Sequence, residues 1–362
     1  MNLTFFIGNG FDIIHGLKTT YRDFLKWYLS FDSSDSEIND FKRNTIEKDL
    51  ETWADAEIAF GKVTGRYTAE TIPILQKCID DFIRELSKYL KEQARALDID
   101  FNNTAKSITA IITKLSNLLR PESKQQMDGL LLSYSNENRV YNFISFNYTD
   151  LLDKSIETLG IEKQDFATHK GSNGNTYKDI VGKVMHVHGT TELEMVFGVD
   201  NELQIVNEEF RNNNIIKKSL IKPEINRRLK TGIARDVKGI VDSSNIIVIY
   251  GMSLGATDAT WWKYITEWLR NNRHRQLILF THQSGYDPTL ARSFMDVEDN
   301  IEDRFFSYSS LDENTKDELK NRIHIVINKD LLPVKFRSEE DKIRQAYKEK
   351  LLKESELNHI SY

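Results

Sequence analysis

Four short segments of this chain carry residue types that can do chemistry, and each follows an apolar, strand-like run. They are Gly8-Asn9-Gly10-Phe11-Asp12, Ser145-Phe146-Asn147-Tyr148-Thr149-Asp150, His186-Val187-His188-Gly189 and Tyr250-Gly251-Met252-Ser253-Leu254. Glycine and small polar residues at the carboxyl ends of buried strands are the pattern of a sheet that binds a ligand, often a nucleotide, in the crevice beyond its strands.

In the first segment, glycines at 8 and 10 permit positive φ and close backbone approach, so main-chain N–H groups can face a pyrophosphate or ribose. A full G-x-G-x-x-G is absent, because Ile13 stands at the third glycine position, and a tight turn without a ligand is the bland alternative. Asp12, His15 and Tyr21 nevertheless supply polar groups that a plain turn does not need. In the second segment, Asn147 offers a paired donor and acceptor for a ribose hydroxyl or a water, and Asp150 adds a carboxylate. Capping of the helix that continues through Leu151, by Asn147 or Thr149, is the alternative, and the two roles are compatible.

His186 and His188 lie two apart, so on a strand both imidazoles would share one face. That also suits two metal ligands, with a third sought among Asp12, His15 and Asp150, although no H-E-x-x-H spacing supports a metal. A structural strand histidine is the other alternative. In the fourth segment, Gly251 and Ser253 can bring backbone and hydroxyl groups to a phosphate, helped by the N-terminus of the helix that follows. A turn capped by Thr257 or Asp258 and anchored by core tryptophans is the alternative, and for Trp261, Trp262 and Trp268 the core reading is preferred.

To position these residues the chain needs buried strands. Runs at 3–7, 140–146, 184–188, 245–250, 276–281 and 322–327 are rich in β-branched and aromatic residues, as buried parallel strands are. Helical patterns separate most of them, which favours an α/β layer structure. Between the first two strands, helices are expected at 21–29, 40–60, 71–98, 104–119 and 121–132. Such a connection is too long for an ordinary crossover and reads as a helical insertion over 20–138. Residues 160–182 read as a flexible loop, 207–242 as helix, and 338–357 as a charged helix in a C-terminal tail over 331–362. Residues 1–19 and 139–330 would then form the sheet domain.

Composition narrows the class. The 362 residues, 40% hydrophobic and 29% charged, suffice for a substantial core. A net charge of −6 gives no global attraction toward nucleic acid, although a local basic face stays possible. The lone Cys78 excludes an intrachain disulfide and a multi-cysteine zinc site within one chain, which fits a reducing cytoplasm. No basic n-region precedes the first apolar run, and no run approaches the roughly 20 residues that cross a bilayer, so a soluble, cytoplasmic protein is expected.

Taken together, the four segments are similar to the sirtuin-type order of a glycine turn, an asparagine element, a His-Gly turn and a Gly-x-Ser phosphate turn. More closely, Gly8 to Asp12 with His15-Gly16-Leu17, Phe146 to Asp150, and His186 to Gly189 with Phe197-Gly198 resemble the AbiH family of bacterial phage abortive-infection proteins, from Leu3 to about Thr281. The resemblance implies a SIR2-like, Rossmann-type α/β fold with a mostly parallel sheet flanked by helices. It further implies a dinucleotide site formed by Gly8, Asn9, Gly10, Phe11, Asp12, His15, Tyr21, Tyr148, His186, Gly189, Gly251, Ser253, Leu254 and Asp258. Asn147 would position ribose or water, His188 would be the base or polar partner at the ribose, and Asp150 would be a further catalytic carboxylate. Two departures stand out: sirtuins place the acidic residue two positions after the asparagine, where Asp150 lies three after Asn147, and their zinc-ribbon cysteines are missing, which argues against a protein deacylase.

The activity implied is that of an antiphage NAD glycohydrolase cleaving the nicotinamide–ribose bond, with NAD as substrate and no metal. A sensor module that binds NAD or ADP-ribose without turnover is an alternative from a different class. A metal-dependent phosphoesterase or nuclease using His186 and His188 is a third. Expected partners are the nucleotide itself, further copies of the chain in a homo-oligomer, and a phage-derived or protein trigger, with no membrane.

Overall fold

The computed structural model describes residues 1–95, 97–160 and 165–338. Its strands are β1 (Asn2–Ile7), β2 (Arg139–Ser145), β3 (Asp165–Lys170), β4 (Thr176–His186), β5 (Ile246–Tyr250), β6 (Gln276–Thr281) and β7 (Ile323–Ile327). They form one seven-stranded sheet in the order β3-β4-β2-β1-β5-β6-β7. Neighbours run parallel throughout, except that β3 is antiparallel to β4.

Alternation along the strands divides the core into two layers. Leu3, Phe5 and Ile7 face one side with Val248 and Tyr250, under the helices Phe101–Ile112, Pro121–Ser133 and Leu151–Glu157. Phe6, Ile247 and Ile249 face the other, under the helices Ile233–Ser243, Ala259–Arg270 and Ala291–Phe306. Cover on both faces explains why β5 is buried at every residue and reads as an unbroken apolar run. Trp262 and Trp268 lie within this second layer, 0% and 2% exposed, as core residues.

A third core belongs to the helical region after β1. Phe24, Tyr28, Trp53, Phe60 and Phe82 pack there with Phe197, Val199, Phe210 and Leu220 from the segment that follows β4. The long helix Ile72–Arg95 is its spine, burying Leu75, Ile79, Phe82 and Leu86 at helical spacing. The helical stretch therefore divides: residues up to 95 build their own aromatic core, whereas helices 101–112 and 121–133 pack on the sheet.

Several expectations are corrected. Residues 160–182 hold the β3–β4 hairpin, where Gly171 N–H donates to Asn175 O at 2.8 Å and Gly174 takes φ +81°. β3 is the sheet edge, and it and the first half of β4 carry mostly polar, partly exposed residues, so no apolar run betrays them. The run expected at 184–188 starts at Thr176 and ends at His186, which leaves His188 beyond the strand. A single helix over 40–60 is broken. The helix Ser36–Phe41 passes into a π turn at Lys42–Ile46, and a new helix, Ala56–Val63, starts where Asp55 accepts Ile58 N–H. Buried Lys42, donating to Tyr28 O and Phe31 O, holds the widened turn against the core. The expected helix at 104–119 starts at Phe101, stops at Ile112 and is followed by a 3₁₀ turn, Leu115–Leu118. Residues 331–338 run extended, with Leu331, Leu332 and Val334 in the core, and the charged helix expected over 338–357 lies, apart from Ser338, outside the described residues.

From β1 the chain moves to β2 and β4 on one side, then crosses to β5, β6 and β7 on the other. The connections leaving β1 and β5 thus diverge, and a crevice opens between them at the carboxyl edge of the sheet.

Candidate active site

The turns after β1 and β5 meet backbone to backbone in this crevice. Gly8 N–H donates to Tyr250 O at 3.0 Å and Gly10 N–H to Gly251 O at 2.8 Å. A Cβ at Gly8 would stand 2.6 Å from Met252 Cγ, one at Gly10 would stand 2.7 Å from Gly251 Cα, and Gly251 itself has φ +70°. The glycines expected to cradle a phosphate are thus required first for packing the two turns together, and the N–H groups of Gly8 and Gly10 are already engaged.

Beside these turns lies a cavity of about 840 Å³, lined by Gly8, Asn9, Gly10, Asp12, Tyr21, Asn147, Tyr148, His188, Gly251, Ser253, Leu254 and Asp258 among the residues singled out from sequence. The helical region contributes Asp55, Glu57, Leu86 and Leu90, and the far end is formed by residues after β6 and β7, with Arg304.

At the β1–β2 end, Asn147 Nδ2 donates to Gly8 O at 3.1 Å and to Asp12 Oδ1 at 3.0 Å. Both amide hydrogens are used, and Asn147 Oδ1 is buried with no partner. Thr149 Oγ1 donates to Asp12 Oδ2 at 2.6 Å. Asp12 is 1% exposed, and burial pushes its carboxyl from 3.8 up to about 7, against the hydrogen bonds from Thr149 and Asn147 and the attraction of His186.

A second cluster lies across the crevice. His188 Nε2 donates to Asp258 Oδ1 at 2.8 Å, and Lys222 Nζ donates to that same oxygen at 2.9 Å and to Glu57 Oε2 at 2.9 Å. Burial works to raise the Asp258 carboxyl, but Lys222 and His188 outweigh it and hold the group well below the usual carboxylate range. Its position at the start of the helix Ala259–Arg270 acts in the same direction. Burial likewise works to lower Lys222, but the two carboxylates outweigh it and push the ammonium up. In neutral His188 the Nε2–H is thereby committed to Asp258, which leaves Nδ1 as a lone pair, buried and without a partner. His188, Lys222 and Asp258 also form the wall of a smaller cavity of about 380 Å³.

The remaining sequence-derived residues lie elsewhere. His186 and His188 do not share a face: His186 Nδ1 lies 2.9 Å from Asn147 O and its Nε2 2.8 Å from Asp153 Oδ2. One imidazole ends β4 and the other follows it, which separates them. His15 accepts Val334 N–H at Nε2 and donates from Nδ1 to Phe11 O, tying the extended C-terminal segment to the first turn. Phe11 is fully buried in the core beneath the turn. Asp150 pairs with Lys154 at the surface, 52% exposed. Gly189, at φ +69°, lets the chain turn after His188, since a Cβ there would collide with Glu194 O. Asp258 does not cap its helix. Asp200 does, accepting from Thr260 N–H at 3.0 Å, which releases Asp258 for Lys222 and His188.

Sequence reasoning missed Glu57 and Lys222, and it gave Thr149 only a capping role. A lone glutamate inside Ala56-Glu57-Ile58-Ala59-Phe60 and a lysine between Ile221 and Pro223 were the available signals, because a charge in an apolar run is often buried and paired. Among the described residues, no group of three or more His, Cys, Asp and Glu is arranged to hold a metal ion. No helix among them is long and apolar enough to cross a membrane.

No curated protein matches the chain. The family model for bacteriophage abortive infection AbiH matches residues 4–280, which takes in β1 to β6 with both polar clusters of the crevice. This chain belongs to the AbiH family of bacteriophage abortive infection proteins.

Proposed function

We propose that this phage-defence protein is an NAD glycohydrolase that cleaves the nicotinamide–ribose bond in the crevice between the β1 and β5 turns. The observation that carries the reading is a pair of buried, unpartnered atoms on residues that line the cavity, one in each polar cluster: Asn147 Oδ1 and, in neutral His188, the Nδ1 lone pair. An unmet buried acceptor costs about 1–3 kcal/mol, so the site favours a ligand that brings hydroxyl donors, as a ribose and a water do.

Cleavage of an N-glycosidic bond passes through a cation spread over the ribose ring oxygen and C1′, and preorganised negative charge lowers that barrier. The carboxylate of Asp258 lies at the cavity wall and is kept ionised by Lys222. His188, oriented by Asp258, accepts a ribose hydroxyl at Nδ1, while Asn147 holds the incoming water at Oδ1. A cavity of about 840 Å³ falls in the range that small-molecule and cofactor sites occupy.

The test is direct. Full-length protein incubated with NAD should release nicotinamide, measured chromatographically, and His188→Ala and Asn147→Ala should each lower release at least about 100-fold. Tight binding of ADP-ribose without any release by the unaltered chain would select a sensor module over an enzyme.

A further inference from the structure

We propose that Asp12 is the general base of this site, taking the proton from the water that Asn147 Oδ1 holds; the inference rests on the glycohydrolase reading above. Asn147 cannot do this itself, because an amide does not take up a proton at neutral pH. What the amide can do is orient. Its two N–H bonds to Gly8 O and Asp12 Oδ1 fix the plane of the group and leave Oδ1 as the only atom free for a ligand. A water bound to that oxygen would be held by the same amide that Asp12 clamps 3.0 Å away on its nitrogen side, and Asp12 and Asn147 both line the cavity.

The charges around Asp12 suit a group that gains and loses a proton. The described residues place no lysine or arginine in an ion pair with it. From the β2 turn it meets neutral Asn147 and Thr149, and the two charged groups that reach it are His186 at the end of β4 and Asp150 at the start of the next helix, which act in opposite directions. Desolvation therefore decides, and it poises the carboxyl at about 7. Asp258, by contrast, is locked in its ionised form by Lys222 and His188 and is unsuited to accept a proton.

The step balances without a further reactant. The water oxygen bonds to C1′ and the C1′–N bond breaks, its electron pair neutralising the pyridinium so that nicotinamide leaves uncharged. The water proton passes to an Asp12 oxygen and is returned to solvent once ADP-ribose departs.

The experiment measures nicotinamide release by the full chain between pH 5 and 9. The expected kcat/KM falls about tenfold per unit below the Asp12 midpoint. Asp12→Asn reproduces the shape and hydrogen bonds of the protonated acid, and it should lower kcat at least about 100-fold while changing ADP-ribose affinity less than about threefold. Thr149→Val, which removes one hydrogen bond to the carboxylate without touching His188, should move the acidic limb up by about one pH unit. Thermal melts confirm that both variants fold. An unmoved limb in Thr149→Val, or unaltered kcat in Asp12→Asn, overturns the assignment of Asp12 while the glycohydrolase reading stands. Absence of nicotinamide release from the unaltered chain overturns both.

Discussion

Two buried carboxylates face one crevice from opposite sides and meet opposite fates. Asp258 has a lysine and a histidine on one oxygen, and these outweigh the desolvation that would otherwise neutralise it. Asp12 has an amide and a hydroxyl, which are too weak to offset the same desolvation, and its carboxyl rises to about 7. Burial alone therefore decides little. The charge of the partner decides whether a buried acid serves as a permanent anion or as a group that exchanges protons.

The largest expected effect attacks the compensated side. Lys222→Met removes the ammonium that bridges Glu57 and Asp258, leaving Glu57 without its ion pair and Asp258 with the His188 hydrogen bond. A loss of about 3–5 kcal/mol is expected in chemical denaturation at pH 8, and adding Glu57→Gln should recover part of it. A loss below 1 kcal/mol would show that the two clusters do not differ as described.

The uncompensated side makes the next prediction, with the opposite sign. Because folding raises the Asp12 pKa, the folded state holds its proton between pH 3.8 and about 7 where the unfolded chain has lost it, so this group lowers stability as pH rises through that window. A shift of that size sets a ceiling of about 4 kcal/mol. Asp12→Asn should therefore melt higher than the unaltered chain at pH 8 and equally at pH 3.5, even as its activity falls. A melting temperature lowered at pH 8 would contradict it.

Thr149→Val sharpens the same contrast on a smaller scale. Loss of the hydroxyl donor to ionised Asp12 should destabilise by about 1–2 kcal/mol at pH 8 and by much less at pH 5, where the acid is protonated. The smallest effect belongs to Asp150→Ala. This carboxylate is 52% exposed and pairs with Lys154 in the surface helix, so stability should change by less than about 0.5 kcal/mol and nicotinamide release by less than twofold. A large loss of release would return Asp150 to the catalytic group that the family resemblance implied.

The long apolar strands β1, β2, β5, β6 and β7 were legible because burial on both faces leaves little room for polar residues, and the turns after them were legible in Gly8, Gly10 and Gly251. Edge strand β3 and the start of β4 were hidden because an edge strand needs no apolar face; only the end of β4 showed as the run at 184–188. The broken helix at 40–60 was hidden because a π turn and 3₁₀ turns keep a nearly helical spacing of apolar residues.

By itself, then, the sequence determined which loops carry polar chemistry and which strands deliver them to one edge, since both follow from local composition and periodicity. Only the tertiary structure decided that Lys222 stands between Glu57 and Asp258, that His186 and His188 part company, and that no lysine or arginine among the described residues pairs with Asp12. Those outcomes depend on which side chains, far apart along the chain, are brought within about 3 Å in a medium without water, and there the electrostatic consequence of each neighbour is greatest.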